Sequence, residues 1–276
     1  MRNRLRRHLF YGTAALTVLL AASVTAAQEG DPKPRPAGST PIRRTADGRP
    51  NLEGYYDSTG GPANQGIVPH VAVYGHRAGD GILIDPPGNK LPYQPWAEAE
   101  SQNRALPERG YDDPTAHCFM GGLPRAMWTS SFQILQPPNY VVFLFERMNY
   151  RFIPLDGRAH IGDSVRLWQG DAVGHWEGDV LVVENRNFNG KEWLSEVGDF
   201  VSHAEQLVER FTPIDGDTIN YQATITDPVV FTQPLTLAFQ LQRAPQELLE
   251  VACLEDDRDL PHLKAVKEAA RAGKKN

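Results

Sequence analysis

The sequence lacks the compact motifs that identify several large enzyme classes. It contains no G-x-S-x-G nucleophile elbow, no G-x-x-x-x-G-K phosphate-binding loop and no G-x-G-x-x-G dinucleotide fingerprint. These absences argue against a serine enzyme of the α/β-hydrolase type, a P-loop nucleotide hydrolase and a Rossmann oxidoreductase. Any chemistry must therefore come from residues that the fold gathers from separate parts of the chain.

Basic side chains are scarce relative to acidic ones. The chain has 28 Lys and Arg against 34 Asp and Glu, with a formal net charge of −6. Four of the arginines lie in the first 27 residues, and without that stretch 24 basic side chains face 34 acidic ones. Phosphate backbones are bound mainly by Lys and Arg, so an acidic chain argues against a nucleic-acid partner. We expect a small molecule as the partner instead.

Long apolar runs are also missing. The longest, Thr13–Val24, is about a dozen residues, which is short for a bilayer span. The basic segment Arg2–His8 precedes it, and small residues follow just before Gln28. This order predicts a signal peptide over residues 1–27 and export to the periplasm or beyond. Arg6-Arg7 fits a twin-arginine signal, and an ordinary secretory signal fits equally well.

Cysteine occurs only twice, at Cys118 and Cys253. In an oxidising compartment these two residues could form a single disulfide that closes most of the mature chain. The alternative is two separate buried thiols, because free cysteine behaves as a small hydrophobe. Both alternatives remain open from the sequence, and a disulfide is favoured over a nucleophilic role for Cys118.

Glycine and proline are plentiful, at 24 and 22 residues, and are spread along the chain as in a loop-rich β protein. From residue 132 onward, short alternating apolar runs are separated by turns, and no βαβ pattern appears. The predicted fold class is mainly β, an antiparallel meander closing as a barrel or sandwich. A barrel of about eight strands can hold one small ligand. The predicted strands are 132–136, 140–147, 150–155, 171–175, 180–183, 205–212, 218–226, 235–242 and 248–253.

The remaining segments complete the predicted organisation. Residues 28–50, rich in proline, glycine and charge, are predicted to be a flexible linker, and 51–276 a single β-barrel domain with long N-terminal loops. Pro95 can begin a helix running over 96–106, and 260–272 is predicted to be a short C-terminal surface helix. Short strands are predicted at 71–74 and 82–84.

The chain resembles a large family of exported bacterial proteins, most of them uncharacterised. The resemblance extends over nearly all of the mature chain and rests on ADGRPNLEGYY, LPYQPWAEA, DDPTAHCFMGGLPR, FQILQPP, IPLDGRAH, GDAVGHWEGDVLVVENRNFN, SHAEQLVERF, ITDPVVFTQPLT and EVACLED. It implies export, a lipocalin-like β body and a single domain, but no mechanism. The similar proteins often read Cys-His-Glu where this chain has Cys253-Leu254-Glu255.

Two His-x-Glu pairs are candidates for acid–base chemistry. His175 and Glu177 flank Trp176, and in a strand they share a face. His203 and Glu205 repeat the spacing. A carboxylate beside a histidine can fix its tautomer and raise its basicity. If the pairs meet at the barrel mouth they form an acid–base set, and otherwise they are solvated strand ends.

Arginine and histidine also occur together on a turn. Arg158 and His160 follow Asp156 and could point together at an anionic or carbonyl group. The alternative is a turn in which Asp156 caps the backbone and Arg158 pairs with a surface acid. Arg125 is a second candidate for binding an anion.

The sequence also allows a metal site and an aromatic-lined pocket. The scattered imidazoles of His117, His160, His175 and His203 could converge on zinc or copper, although no compact metal-binding spacing is present. The aromatic side chains that could line a ligand pocket, or else belong to the core, are Trp128, Tyr140, Phe152, Trp168, Trp176 and Trp193.

The leading functional expectation is an exported, cofactor-independent enzyme acting on a small, partly apolar molecule in a barrel cavity. His203 would be the base with Glu205 as its orienter, His160 the acid, and Arg158 or Arg125 the anion clamp. The reaction would be an elimination (lyase type), an isomerisation or a hydrolysis. The alternatives are a lipocalin-like binding protein without turnover and a periplasmic zinc or copper site.

Overall fold

The computed structural model describes residues 40–58, 66–71, 78–147, 149–255 and 259–273. The predicted signal peptide, residues 28–39 of the predicted linker, and most of the predicted strand at 71–74 lie outside these residues. Strands and helices alternate with long loops in the N-terminal half, whereas the C-terminal half is mainly strand. The strands are β1 (Gly54–Ser58), β2 (Leu83–Asp85), β3 (Phe132–Leu135), β4 (Tyr140–Phe145), β5 (Asn149–Pro154), β6 (Asp171–Glu177), β7 (Val180–Arg186), β8 (Gln206–Pro213), β9 (Thr218–Thr226) and β10 (Leu235–Arg243).

Nine of these strands form one antiparallel sheet in the order β5-β4-β3-β1-β10-β9-β8-β7-β6. β1 covers one half of the free edge of β10 through Tyr56 to Ser58, and β2 covers the other half at Thr236 and Leu237. The sheet curls until its two end strands, β5 and β6, approach each other without ladder hydrogen bonds. The predicted antiparallel barrel is therefore confirmed, as a nearly closed one.

The seam between β5 and β6 is closed by side chains packed over a glycine. A Cβ placed on Gly174 of β6 would lie 2.7 Å from Ile153 Cγ2 and 2.8 Å from Leu155 Cδ2. Glycine therefore lets the two strands approach closely where no ladder holds them together.

Alternation in the last three strands places apolar side chains inside the barrel, as predicted. Ile219, Tyr221, Ala223 and Ile225 of β9 are all buried, whereas Asn220, Gln222 and Thr224 between them are less so. Aromatic rings fill much of the interior, with Phe211 and Tyr221 at a centroid distance of 5.0 Å. Many of the contacting pairs in this core are tilted rings, an arrangement that suits aromatic quadrupoles.

β5 places a charged side chain inside the barrel and aromatic ones outside. Its aromatic residues Tyr150 and Phe152 are 64% and 56% exposed, whereas Arg151 between them is 4% exposed and points inward. Glu209 on β8 and Asn185 on β7 form hydrogen bonds with the buried guanidinium.

Within the described ranges, three helices lie outside the sheet: α1 (Pro95–Arg104), α2 (Ala126–Thr129) and α3 (Asp259–Gly273). α1 and α3 occur where the sequence predicts helices, with Pro95 in the first turn of α1. Two short 3₁₀ turns, Pro107–Asp112 and Pro114–His117, connect α1 with the loop before α2. α3 packs against the first of these turns, and Lys267 forms an ion pair with Asp112.

The prediction of a last strand at 248–253 is wrong, because these residues form no ladder and Leu249 is 73% exposed. Both edges of β10 are already paired, so no open strand is left for this segment. Cys253 instead forms a disulfide with Cys118, which settles the alternative that the sequence left open.

Residues 40–50 of the predicted linker lie against the barrel. Arg44 makes two hydrogen bonds with the Asp179 carboxylate at 2.8 and 2.7 Å, in the turn between β6 and β7. The Gly216 amide donates to the Thr40 carbonyl at 2.7 Å. This part of the segment is therefore anchored at two loops of the sheet.

Candidate functional site

A cleft of about 590 Å³ opens on the surface between α1 and two loop segments. One segment connects β7 to the turn before Phe200, and the other leads into β8. The lining residues are Trp96, Ala99, Glu100, Asn103, Arg104, Asn189, Gly190, Phe200, Val201, Ser202 and His203. A volume of this order suits a small organic molecule.

Helical spacing gives the cleft its first wall. Trp96, Glu100 and Arg104 recur every four residues, so they lie along one face of α1 with Ala99 and Asn103 beside them. The Trp96 indole is 53% exposed, and its Nε1 donates to the Val229 carbonyl at 3.2 Å. This hydrogen bond holds an aromatic ring at the mouth of the cleft.

Arg104 supplies the cation of the cleft. Its guanidinium lies 4.0 Å from the centroid of Phe200 and 5.4 Å from that of Trp193. Nε donates to Glu100 Oε1 at 2.8 Å, and the two Nη atoms have no protein hydrogen-bond partner among the described residues. Stacked and held by one bond, the guanidinium keeps donors free to bind an anionic or carbonyl oxygen.

Glu100 is ionised beside this arginine. Burial by itself would raise the pKa of Glu100, but hydrogen bonds from Arg104 and Asn103 outweigh it and lower the pKa below its ordinary value. The charges of Glu100 and Arg104 nearly cancel near neutral pH. The lining is therefore close to neutral overall, with separate donor and acceptor positions.

Among the described residues that line the cleft, His203 is the one with an imidazole side chain. His203 is exposed, and its backbone carbonyl accepts a hydrogen bond from Arg166 Nη1 at 3.1 Å. The preceding residue, Ser202, is fixed by Asp227, which accepts from the Ser202 amide at 2.5 Å and from its hydroxyl at 2.9 Å. The backbone that carries His203 is thus anchored while its ring faces an open cleft.

Two buried glutamates lie just behind the cleft. Glu192 and Glu205 are 1% and 2% exposed, and no other described side chain donates a hydrogen bond to their carboxyl oxygens. The two carboxyl groups lie close enough to shift each other's pKa. Burial, and for Glu205 also the neighbouring acids, raises both pKa values, that of Glu192 to about 7 and that of Glu205 well above its usual range.

A separate polar network occupies the barrel interior. Arg151 Nη1 donates to Glu209 Oε1 at 3.0 Å, and its Nη2 donates to Glu209 Oε2 and, at 2.8 Å, to Asn185 Oδ1. Asn185 Nδ2 and the Tyr221 hydroxyl complete the shell of the Glu209 carboxylate at 2.7 and 2.8 Å. Burial, and then the Glu209 charge, raises the pKa of Tyr221 well above its ordinary value. The network is enclosed, so its role is to satisfy buried charges.

The structure separates His203 from its expected partner. Residues 203–205 precede β8 and form a turn in which the Glu205 amide donates to the Ser202 carbonyl at 3.2 Å. The two-residue alternation of a strand does not apply there. His203 consequently faces solvent, whereas Glu205 is buried against Glu192.

His160 and His175 do not line the cleft, and each contacts a carboxylate elsewhere. His175 Nε2 is 3.3 Å from Glu177 Oε1, with both side chains half exposed on the outside of β6, and Arg210 binds the same carboxylate. His160 Nδ1 is 2.8 Å from Asp171 Oδ2, a partner that sequence spacing did not suggest.

The two candidate anion-binding arginines are already paired. Arg158 binds Asp156 and the Tyr140 hydroxyl, and hydrogen bonds from Arg158 lower the pKa of Asp156 to about 2. Arg125 is fully buried and donates to both Asp113 oxygens at 3.0 and 2.8 Å.

The remaining candidates do not line the cleft. Trp168 stacks on Phe119 at 5.2 Å, and Trp176 packs partly buried against the core. His117 Nε2 lies 2.6 Å from the Tyr111 carbonyl oxygen. Within the described residues no group of three or more His, Cys, Asp or Glu side chains could hold a metal ion.

Sequence reasoning missed Trp96, Arg104 and Glu192. Trp96 and Arg104 are helix residues eight positions apart, and their spacing puts them on one face, but the wall opposite them begins at Asn189. Glu192 stands in an irregular segment without any periodic pattern. Only the folded chain reveals which residues face them.

Comparisons of the chain with protein-family models, with curated proteins and with solved structures found no match. In the part of the chain that the structure describes, no helix has both the length and the apolar character needed to cross a membrane.

Proposed function

We propose that the protein binds a small, partly apolar molecule in the cleft between α1 and the segment around His203. The observation that carries this proposal is the combination on one opening of an exposed indole, a stacked arginine with free donors and an imidazole. Ligand sites typically combine apolar surface with a few placed polar groups. The preferred ligand has a planar ring to lie against Trp96 and an oxygen acceptor for Arg104.

Binding is tested with 8-anilinonaphthalene-1-sulfonate, a fluorescent aromatic anion. We expect Trp96→Ala and Arg104→Gln each to weaken its binding by about tenfold, because each removes an interaction of roughly 1–3 kcal/mol. Tyr150→Ala is the matched control, since Tyr150 is an exposed aromatic residue on β5, away from the cleft lining. Equal binding by all four proteins would refute the proposal, provided that their near-ultraviolet dichroism is unchanged.

A second candidate, acid–base turnover at the same cleft, is favoured by the exposed ring of His203. An imidazole near neutral pH can take or give a proton, and Arg104 could stabilise an oxyanion formed beside it. Elimination, isomerisation or hydrolysis would all use these two groups. Because His203 and Glu205 are not paired, this proposal assigns no orienting role to Glu205.

Turnover is tested on 4-nitrophenyl esters of small aromatic acids. We expect His203→Ala to lower kcat/KM by about 100-fold or more while leaving dye binding nearly unchanged. His175→Ala, on the outside of β6, is the control and should leave the rate intact. If His203→Ala leaves the rate unchanged, His203 takes no part in turnover and only the binding proposal stands.

We also propose export, as the signal-like N-terminus and the resemblance to exported bacterial proteins suggest. The Cys118–Cys253 disulfide supports this proposal, because such bonds persist in oxidising compartments. Cell fractionation and N-terminal sequencing of the mature protein should find it outside the cytoplasm, beginning at Gln28. Arg6→Lys with Arg7→Lys should block export only if the twin-arginine route is used.

A further inference from the structure

The two loop walls of the cleft touch each other at a glycine. Gly190 has φ +68°, and a Cβ placed on it would lie 2.3 Å from the His203 amide nitrogen. The backbone at Gly190 therefore lies directly against the backbone of Ser202 and His203. A little further along each wall, the side chains of Glu192 and Glu205 meet in the interior.

These two carboxyl groups are enclosed without another side-chain donor. The Glu192 stem is covered by the loop before α2, where a Cβ on Gly122 would lie 2.6 Å from Glu192 Cβ. No other described side chain donates to the four carboxyl oxygens of the pair. The Lys191 and Glu192 amides lower the pKa of Glu192, but burial outweighs them. Ionised carboxylates only accept hydrogen bonds, so contact between these two requires a proton on at least one of them.

The charged and titratable surroundings favour that proton. The negative charge of Asp227 raises the pKa of both glutamates. Glu209 on β8 and Tyr221 on β9 also interact with Glu205. Glu209 is itself neutralised by Arg151. No cation among the described residues pairs directly with Glu192 or Glu205 within salt-bridge distance.

We propose that Glu192 and Glu205 are a positioning pair that holds a proton between them at neutral pH and so joins the Gly190 and His203 walls of the cleft. Loss of that proton would place two negative charges in contact in a dry interior, and the walls would separate. The contact between the two walls is independent of the proposed function, whereas any effect of the pair on ligand binding rests on that function.

The direction of the pH dependence follows from the raised pKa values. In the unfolded chain both glutamates ionise near the ordinary value of 4.5, whereas the folded pair keeps its protons to about pH 7 for Glu192 and beyond for Glu205. Between pH 4.5 and these raised pKa values, the folded state binds more protons than the unfolded state does. The stabilisation is complete below 4.5 and is lost as the pH rises through 7 and above.

The test compares wild type with Glu192→Gln by amide hydrogen exchange and denaturant unfolding from about pH 5 to about pH 9. An amide can donate to Glu205 at any pH, so the variant should keep the walls joined without a titrating proton. We expect protection at 190–192 and 203–205 to fall at least about fivefold in wild type and to stay constant in the variant. The unfolding constant should rise less steeply in the variant, by about tenfold per pH unit for each proton removed.

Glu205→Gln is the reciprocal variant, used if Glu192→Gln does not fold, and Glu184→Gln on the exposed side of β7 is the control. Constant protection in wild type, or a loss of equal size in Glu192→Gln, would overturn the proposal. So would stabilisation by added CaCl₂ at alkaline pH, which would indicate a bound cation in place of the proton. Failure of the fluorescent dye to bind at any pH would refute the cleft, while the amide exchange still decides the pair.

Discussion

At the scale of single residues, Arg151 and Glu209 form a buried ion pair in the barrel interior. Both side chains are at most 3% exposed, and their hydrogen bonds come from Asn185 and Tyr221 as well as from each other. Removing one partner of such a pair strands an uncompensated charge in the interior. The pair therefore matters for stability mainly because removal of one member would leave the other charge buried and unpaired.

We predict that Glu209→Gln lowers the free energy of unfolding by about 3–5 kcal/mol, measured by urea denaturation. Glu177→Gln is the comparison, since Glu177 also binds an arginine, Arg210, but is half exposed. That substitution should change the stability far less, because solvent screens the exposed pair. Similar losses for the two variants would contradict a dominant role for burial.

At the scale of elements, the barrel depends on a seam that has no ladder. β5 and β6 meet through Ile153 and Leu155 packed onto Gly174, whereas every other neighbouring pair of the nine strands shares backbone hydrogen bonds. Packed interiors resist added volume, and the β-branched Ile153 has few alternative rotamers. The seam is therefore sensitive to a single added methyl group.

We predict that Gly174→Ala destabilises the protein by about 1–3 kcal/mol and increases amide exchange in β5 and β6. Gly162→Ala is the control, because a Cβ at Gly162 meets no atom within 4 Å. Thermal or urea unfolding gives the stability change. An unchanged stability in Gly174→Ala would mean that the seam has room to relax.

At the scale of the whole molecule, one covalent link joins the loop after α1 to the segment after β10. The Cys118–Cys253 disulfide spans 135 residues of sequence, and no residue of α3 beyond it is buried. A cross-link over a long loop restricts the unfolded chain strongly. The C-terminal segment therefore depends on this bond more than on a core of its own.

We predict that Cys118→Ser with Cys253→Ser lowers the free energy of unfolding by about 2–5 kcal/mol and increases proteolysis between β10 and α3. Unfolding of wild type with and without a reducing agent gives an independent measurement. If reduction changes neither stability nor cleavage in this segment, the bond does not anchor it.

The sequence by itself determined the mainly β architecture. Strand alternation is a local property, so β9 and β10 could be assigned from their own side chains, and the buried faces agree. It also determined α1 and α3, because helix formers and Pro95 act within a few residues. Where the local rule fails, as at 203–205, a turn replaces the strand and separates His203 from Glu205.

Only the tertiary structure decided the cleft and the buried carboxyl pair. Trp96 and Arg104 face Asn189 and His203 across a gap that no spacing in the sequence encodes. The inward position of Arg151 is tolerated because Glu209 lies opposite it on another strand. Burial and charge pairing depend on which distant segments meet, and that is settled by closure of the sheet rather than by any one stretch of the chain.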